Sequence, residues 1–219
     1  MAISEEKRES PTWEVRKLLR AARSASLATV AEGQPFVSLV TPACAPDLAL
    51  LMLLSDLSEH TRHLRVDPRC SVLICGEPVD ANPQTTPRVT VTGMAEVVPH
   101  AALKARFLAV HPYAALYAGF TDFTLWRLRP MGGLFVGGFG RAARLRAADL
   151  TPDPQAVAAV AAAEAEIIAE WDVVAVDVDG CDVADGEVVR RVHWSAPVND
   201  VEGLRQEIAA VAKPGTRAR

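Results

Sequence analysis

The chain has 219 residues, half of them hydrophobic and 23% charged, so it can bury a full core and suits one domain with a smaller appendage. A formal charge of −4 leaves no overall basic surface, which disfavours a sequence-independent hold on nucleic acid, since that hold relies on Lys and Arg neutralising phosphates. The start "MAISEEKRESPTWEVRKLLR" carries charge where a secretory peptide has its apolar core, and no later run suits a membrane helix, so a cytoplasmic protein without a membrane anchor is expected.

Thr12 is the expected cap of a helix through "WEVRKLLRAAR", in which Trp13, Val15, Leu18 and Leu19 form one apolar stripe. Next, "ASLATV", "FVSLVTPAC" and "LALLMLLS" are separated only by "AEGQP" and "APD", and such short turns predict antiparallel strands. "SDLSEHTRHLRVDP" predicts a short helix with Ser55 or Ser58 as N-cap and Leu57, Leu64 and Val66 on its apolar side. A strand "CSVLICG" leads to the exposed, proline-bearing loop "EPVDANPQTTP", a candidate lid, and then to the long β-branched strand "RVTVTGMAEVV". The helix starting at "HAALKARFLAV" stops at His111-Pro112; "DFTLWRLR" alternates as a strand, "PMGG" turns, and "LFVGG" is the last strand of this set.

The prolines of "LTPDPQ" mark a boundary between a domain at 12–150 and a small α-β-β-α appendage at 154–213. In the appendage, the helix "AVAAVAAAEAEIIAEW" precedes the strands "DVVAVDV" and "EVVRRVHW", which flank a turn-rich "DGCDVADG". A closing helix comes last, with Asn199 and Glu202 at capping-box spacing. Cys44, Cys70, Cys75 and Cys181 form no C-x-x-C pair, so free thiols are expected rather than disulfides or a zinc site. His60 and His63 stand at i, i+3 with no third ligand evident nearby, and no metal site is expected.

The stretch "LFVGGFGRAARL" satisfies G-x-G-x-x-A from Gly138 to Ala143. A dinucleotide fingerprint needs a helix straight after the glycines inside a parallel unit. Here Pro152 and Pro154 stop any helix downstream of the glycines, and hairpin-length turns lie upstream. Two readings stay open. Gly137, Gly138 and Gly140 form a bulge and turn at the barrel edge, or their bare backbone approaches a flat ligand with Arg141 and Arg144 as partners for anionic groups.

The order of "S-x-x-S-x-H-T-R-H-L-x-x-D-P-R-x-S-V-L", "PRVTVTG", "DF-x-L-W-R" and "VGGFGRA" resembles the pyridoxamine 5′-phosphate oxidase-like FMN-binding split barrels, in the branch that includes haem-utilisation proteins. The resemblance runs from about Val15 to Leu145. It implies an α+β fold: an antiparallel split β-barrel with flanking helices and a small C-terminal α/β unit. It also implies a homodimer with FMN at the interface, acting as an oxidoreductase on a small organic substrate.

The implied cofactor-binding residues are Ser38, Leu39, Val40 and Thr41 along the isoalloxazine and ribityl groups, and Ser55, Ser58, His60, Thr61 and Arg62 at the phosphate. Arg88 and Thr90 approach from the neighbouring region or the partner chain, Trp126 and Arg127 close over the flavin, and Gly138, Phe139, Gly140 and Arg141 face the cleft. Tyr113, Tyr117 and Phe123 line the substrate side or belong to the core. No acid or base is assigned. The chain departs from the oxidases where Glu59 and His60 replace a basic phosphate-gripping pair, and where Ser38 and Ala43 replace basic residues bracketing the second strand. Haem-degrading relatives use a histidine shortly after the glycine segment, whereas the next one here is His193. The alternative ligands are F420 and haem, and the alternative functions are haem binding or degradation and a non-catalytic flavin-binding or interaction module.

Overall fold

The computed structural model describes residues 9–78 and 80–211. The polar stretch before Glu9, Val79 of the expected lid and the expected helix end at 212 and 213 lie outside the described residues. Helix α1 (Pro11–Ala21) is capped by Ser10, not Thr12: Ser10 Oγ accepts from the Trp13 N–H at 3.2 Å. The physical reason is Pro11, which lacks an N–H and suits the first helical turn, so the cap falls one residue before it. Val15 and Leu19, one turn apart, are buried.

The barrel is built from β1 (Ala25–Ala31), β2 (Gln34–Val40), β3 (Ala43–Cys44), β4 (Leu50–Ser55), β5 (Arg69–Cys75), β6 (Arg88–Val97), β7 (Phe123–Val136) and β8 (Ala142–Arg146). They run β2-β1-β5-β6-β7-β4-β3, with β8 paired to β7, and every pairing is antiparallel. Helix α2 (Glu59–Val66) comes after β4, and α3 (Ala101–Val110) after β6. The run "LLMLL" of β4 is apolar on both faces because both are covered: Leu50, Met52 and Leu54 enter the barrel core, while Leu51 and Leu53 pack with Phe107 and Val110 of α3. This is the expected antiparallel split barrel with flanking helices.

Two local expectations change. "PMGG" is no turn, since β7 runs through it with a bulge: Thr92 pairs with Gly132 and Gly93 with Pro130, leaving Met131 unpaired and exposed. A Cβ on Gly93 would collide with the Arg129 carbonyl oxygen, so the bulge needs glycine there. The second change is β8. The segment after the glycines folds back along β7, so the glycine stretch is a hairpin turn.

After β8 come α4 (Pro154–Glu170), β9 (Ala175–Asp177), β10 (Gly180–Asp185), β11 (Val188–His193) and α5 (Val201–Val211). The expected turn "DGCDVADG" contains β10, so the order is α-β-β-β-α, with the sheet running β11-β10-β9. Asp200, not Asn199, caps α5, its Oδ1 accepting from the Gly203 N–H at 2.8 Å. No described helix is long and apolar enough to cross a membrane.

A buried charge network joins these elements to the barrel. Arg20 of α1 donates from Nε to Asp179 at 3.0 Å, and its Nη1 lies 3.2 Å from Asp177. Arg106 of α3 reaches Asp177 at 2.8 Å and the Cys44 and Val176 carbonyls at 2.9 Å, while Arg191 of β11 binds Asp177 at 2.5 Å and Asp182 at 2.9 Å. Burial by itself raises the Asp177 carboxyl, but the guanidinium groups of Arg191, Arg20 and Arg106 outweigh it and hold its pKa well below the carboxylate range.

Candidate functional site

Alternation along β1 and β2 sorts the expected cofactor residues onto opposite faces. Inward, Ser38 pairs with Leu27, and Phe36 with Thr29. Outward, the register aligns Leu39, Ser26, Leu73, Thr90 and Leu134 across β2, β1, β5, β6 and β7. Leu39 is 75% and Val37 62% exposed, so this outer face carries large apolar side chains open to solvent. Val40 is buried and Thr41 half-buried.

Helix α2 lies across the inward side of β1 and β2. His60 Nδ1 is 3.0 Å from Ser38 Oγ, and His63 Nδ1 is 3.0 Å from Thr29 Oγ1, with the Phe36 ring edge-on to His63 at 5.2 Å. Burial, then the neighbouring His63, lowers the His60 pKa, so the ring is neutral near neutral pH. Sequence reasoning misses the contacts of His63 with Thr29 and Phe36. The available signal is the alternation of "ASLATVA", which sends Thr29 to the same face as Leu27.

The hydroxyls expected to hold a phosphate are present together but already engaged. Ser55 Oγ donates to Asp122 at 2.5 Å, Ser58 Oγ donates to the Ser55 carbonyl at 2.7 Å, and Ser58 Oγ also lies 2.8 Å from the buried Thr61 Oγ1. Arg62 is paired with Glu59. Two carboxylates, Asp122 and Glu59, thus stand among the groups an anion would need as donors.

The remaining expected residues lie elsewhere. Arg88 donates to the Gln84 and Thr86 carbonyls, both at 3.0 Å, and so braces its own loop. Trp126 sits in the barrel core at 3% exposure with the Arg65 guanidinium over its ring, so it is packed inside rather than closing over a cleft. Arg127 is paired with Asp47. In the β7–β8 turn, Gly138 and Gly140 have φ of 114° and 71°, and the Gly137 N–H donates to the Arg141 carbonyl at 2.9 Å. The glycines therefore serve the turn, Arg141 is held by Glu14 of α1, and Phe139 projects at 81% exposure. Tyr117 stacks on Phe123 beside the α3 core, and the Tyr113 hydroxyl meets His111 Nδ1.

Two cavities flank these elements. One, of about 490 Å³, is lined by Val30, Ala31, Arg62, His63, Val66 and Arg69, with Glu32, Gly33 and Asp67. The other, of about 520 Å³, lies between α1, the Cys75–Glu77 segment and His193. Burial, then the charges of Arg191 and Lys17, push the His193 pKa down to about 4.

Residues 12–137, more than half of the chain, match the family described as pyridoxamine 5′-phosphate oxidase. The chain belongs to this family. Among relatives, the non-canonical heme oxygenase HOZ of Arabidopsis thaliana, a chloroplastic protein, is 36% identical over 141 residues, covering 62% of this chain and 43% of that one. The heme oxygenase HutZ of Vibrio cholerae is 30% identical over 145 residues, covering 63% of this chain and 82% of that protein. The chain thus matches less than half of the first relative's length and most of the second's.

Among solved structures of the oxidase fold, a heme binding protein from Mycobacterium smegmatis is 28% identical with a TM-score of 0.63, covering 93% of this chain and 96% of that one. The Agrobacterium tumefaciens protein Atu2129, of unknown function, has a TM-score of 0.75 at 24% identity, covering 96% and 99%. These relatives overturn the expected FMN-dependent oxidoreductase: both heme oxygenases, and the solved structure that matches nearly the whole chain at 28% identity, are named for haem.

Proposed function

We propose that this member of the oxidase family binds haem, and that it does so as a homodimer. The observation that carries the reading is the pair of hydroxyl-tethered imidazoles on α2, standing where a phosphate grip would need cations. Imidazole nitrogen is an iron ligand, the neutral His60 ring is a poor phosphate partner, and the engaged hydroxyls and the Asp122 and Glu59 carboxylates leave few free donors for a phosphate at this helix. The haem names of the relatives point the same way.

Haem supplies the iron that binds small ligands and dioxygen; the protein's part is to hold it, set its access and tune it. Val30, Ala31 and Val66 give the 490 Å³ cavity one apolar wall beside the charged Glu32, Arg62, Asp67 and Arg69, and its volume lies within the usual range of about 300–1,000 Å³ for ligand pockets. The outer face of Val37, Leu39, Leu73 and Leu134 is the surface a second copy would cover, since large exposed apolar patches mark association sites.

Haemin titration into the purified chain tests the reading. A saturable Soret band at one haem per chain is expected, with a dissociation constant well below about 100 µM, the level of a weak interaction near −5.5 kcal/mol. No binding at that level removes the proposal. Light scattering should give twice the chain mass. Loss of the Soret band under reductant and dioxygen would extend haem binding to haem breakdown, the activity in the names of both heme oxygenases.

A further inference from the structure

We infer that Asp122 and Glu59 make this chain refuse FMN, the cofactor its family implies, by denying the flavin phosphate its donors at α2. The inference stands apart from the haem reading, since a chain that bound no haem would still refuse that phosphate.

The framework of a phosphate site is present. Ser58, the N-cap of α2, makes no side-chain bond to a helix amide, so the first turn keeps the partial positive charge of an uncapped N-terminus. Ser55, Ser58 and Thr61 bring three hydroxyls to this end of the helix, and Arg62 lies within its first turn. A phosphate monoester would take such a set if the protons were free.

Each hydroxyl proton is already spent. Ser55 Oγ gives its proton to Asp122 at 2.5 Å, and the same oxygen accepts the Leu57 N–H at 3.1 Å. Ser58 gives its proton to the Ser55 carbonyl at 2.7 Å, which makes Thr61 the donor in the 2.8 Å contact between Ser58 and Thr61. The cations are spent too: Arg62 pairs with Glu59 and Arg65 with Asp56, both at 2.5 Å. Asp122 has no such compensation among the described residues, for its side-chain partner is the neutral Ser55 hydroxyl. Its backbone carbonyl accepts the Asp56 N–H at 2.7 Å, which anchors the residue against the loop between β4 and α2. A phosphate carrying a charge of about −1.5 to −2 therefore meets one uncompensated carboxylate and no unspent donor side chain. Asp122 carries the larger share of the refusal because it is half-buried, whereas Glu59 is 55% exposed and solvent screens its charge.

The test is equilibrium dialysis of FMN and of riboflavin, which lacks the phosphate, against the full chain. Wild type should bind FMN no more tightly than about 100 µM. Asp122→Ala releases the Ser55 proton and removes the uncompensated charge, and Glu59→Gln releases Arg62. The double variant should bind FMN at least about tenfold more tightly than wild type with riboflavin unchanged, and Asp122→Ala alone should give more of the gain than Glu59→Gln alone. Thermal melts confirm that each variant is folded. If Asp122→Ala is not, Asp122→Asn, which removes the charge and keeps an acceptor for Ser55, takes its place with the same expectation. Tighter FMN binding than about 100 µM in wild type, a smaller gain in the folded double variant, or an equal gain for riboflavin overturns the inference. Haemin titration of the same samples reports on the haem reading alone.

Discussion

Replacing Asp177 with Asn should destabilise the chain more than any other single isosteric change in the buried network. Asp177 is 1% exposed and faces Arg20, Arg106 and Arg191, so the substitution leaves three guanidinium groups sharing the remaining carboxylates. Removing one partner of a buried ion pair costs about 3–5 kcal/mol. At about 2–4 °C per kcal/mol for a chain of this size, that is a fall in melting temperature of about 6–20 °C. The depressed Asp177 pKa contributes stability above the unfolded-state value near 3.8, and that contribution is lost as pH falls toward the folded-state value. The gap between wild type and Asp177→Asn should therefore be full at pH 7 and narrow only in strong acid. Calorimetry at pH 7 and pH 3 measures both quantities. A melting temperature within about 1 °C of wild type at pH 7, a stability change under roughly 0.5 kcal/mol, would refute the idea that these charges tie α1 and α3 to the C-terminal sheet.

Leu39→Glu, at 75% exposure on the outer face, should leave the fold intact by circular dichroism and yield monomers by light scattering. Gly140→Ala places a side chain at φ 71° in open space, so only backbone strain of about 1–2 kcal/mol is expected in urea melts. Burial lowers the pKa of His193 to about 4, so the unfolded chain binds more protons between pH 6.5 and 4, and stability falls as pH drops through that range. His193→Gln should flatten that part of the stability profile, and proton NMR of the ring should place its titration well below that of an ordinary histidine.

The barrel was legible because its strands are marked by local chemistry. Alternation in "RVTVTGMAEVV" and the short turns "AEGQP" and "APD" permit little but antiparallel neighbours. The two strand expectations that failed were read from turn-forming residues alone. "PMGG" has turn composition, yet Gly93, distant in sequence, lets the strand continue by giving its carbonyls room. "DGCDVADG" became a strand because Gly180 to Asp185 find partners on both sides, in β9 and β11. Tertiary pairing outweighs local propensity in both cases.

The candidate site was less legible because its chemistry lies in who faces whom. In sequence, His60 and His63 are two cations-in-waiting on a polar helix, and Thr29 and Ser38 are ordinary strand residues. Only the register of β1 against β2, with α2 across them, converts these four into two tethered imidazoles. The same packing commits Ser55, Ser58 and Thr61 to partners within the protein. A phosphate and an iron ask opposite things of this helix, free donors in one case and a neutral nitrogen with its proton drawn away in the other. The glycine hairpin has the geometry of a turn: its positive φ angles and the Arg141–Glu14 pair hold it against α1. Haemin titration of His60→Ala and His63→Ala beside wild type therefore tests α2 directly: a dissociation constant unchanged in both variants would take the proposed haem contact away from this helix.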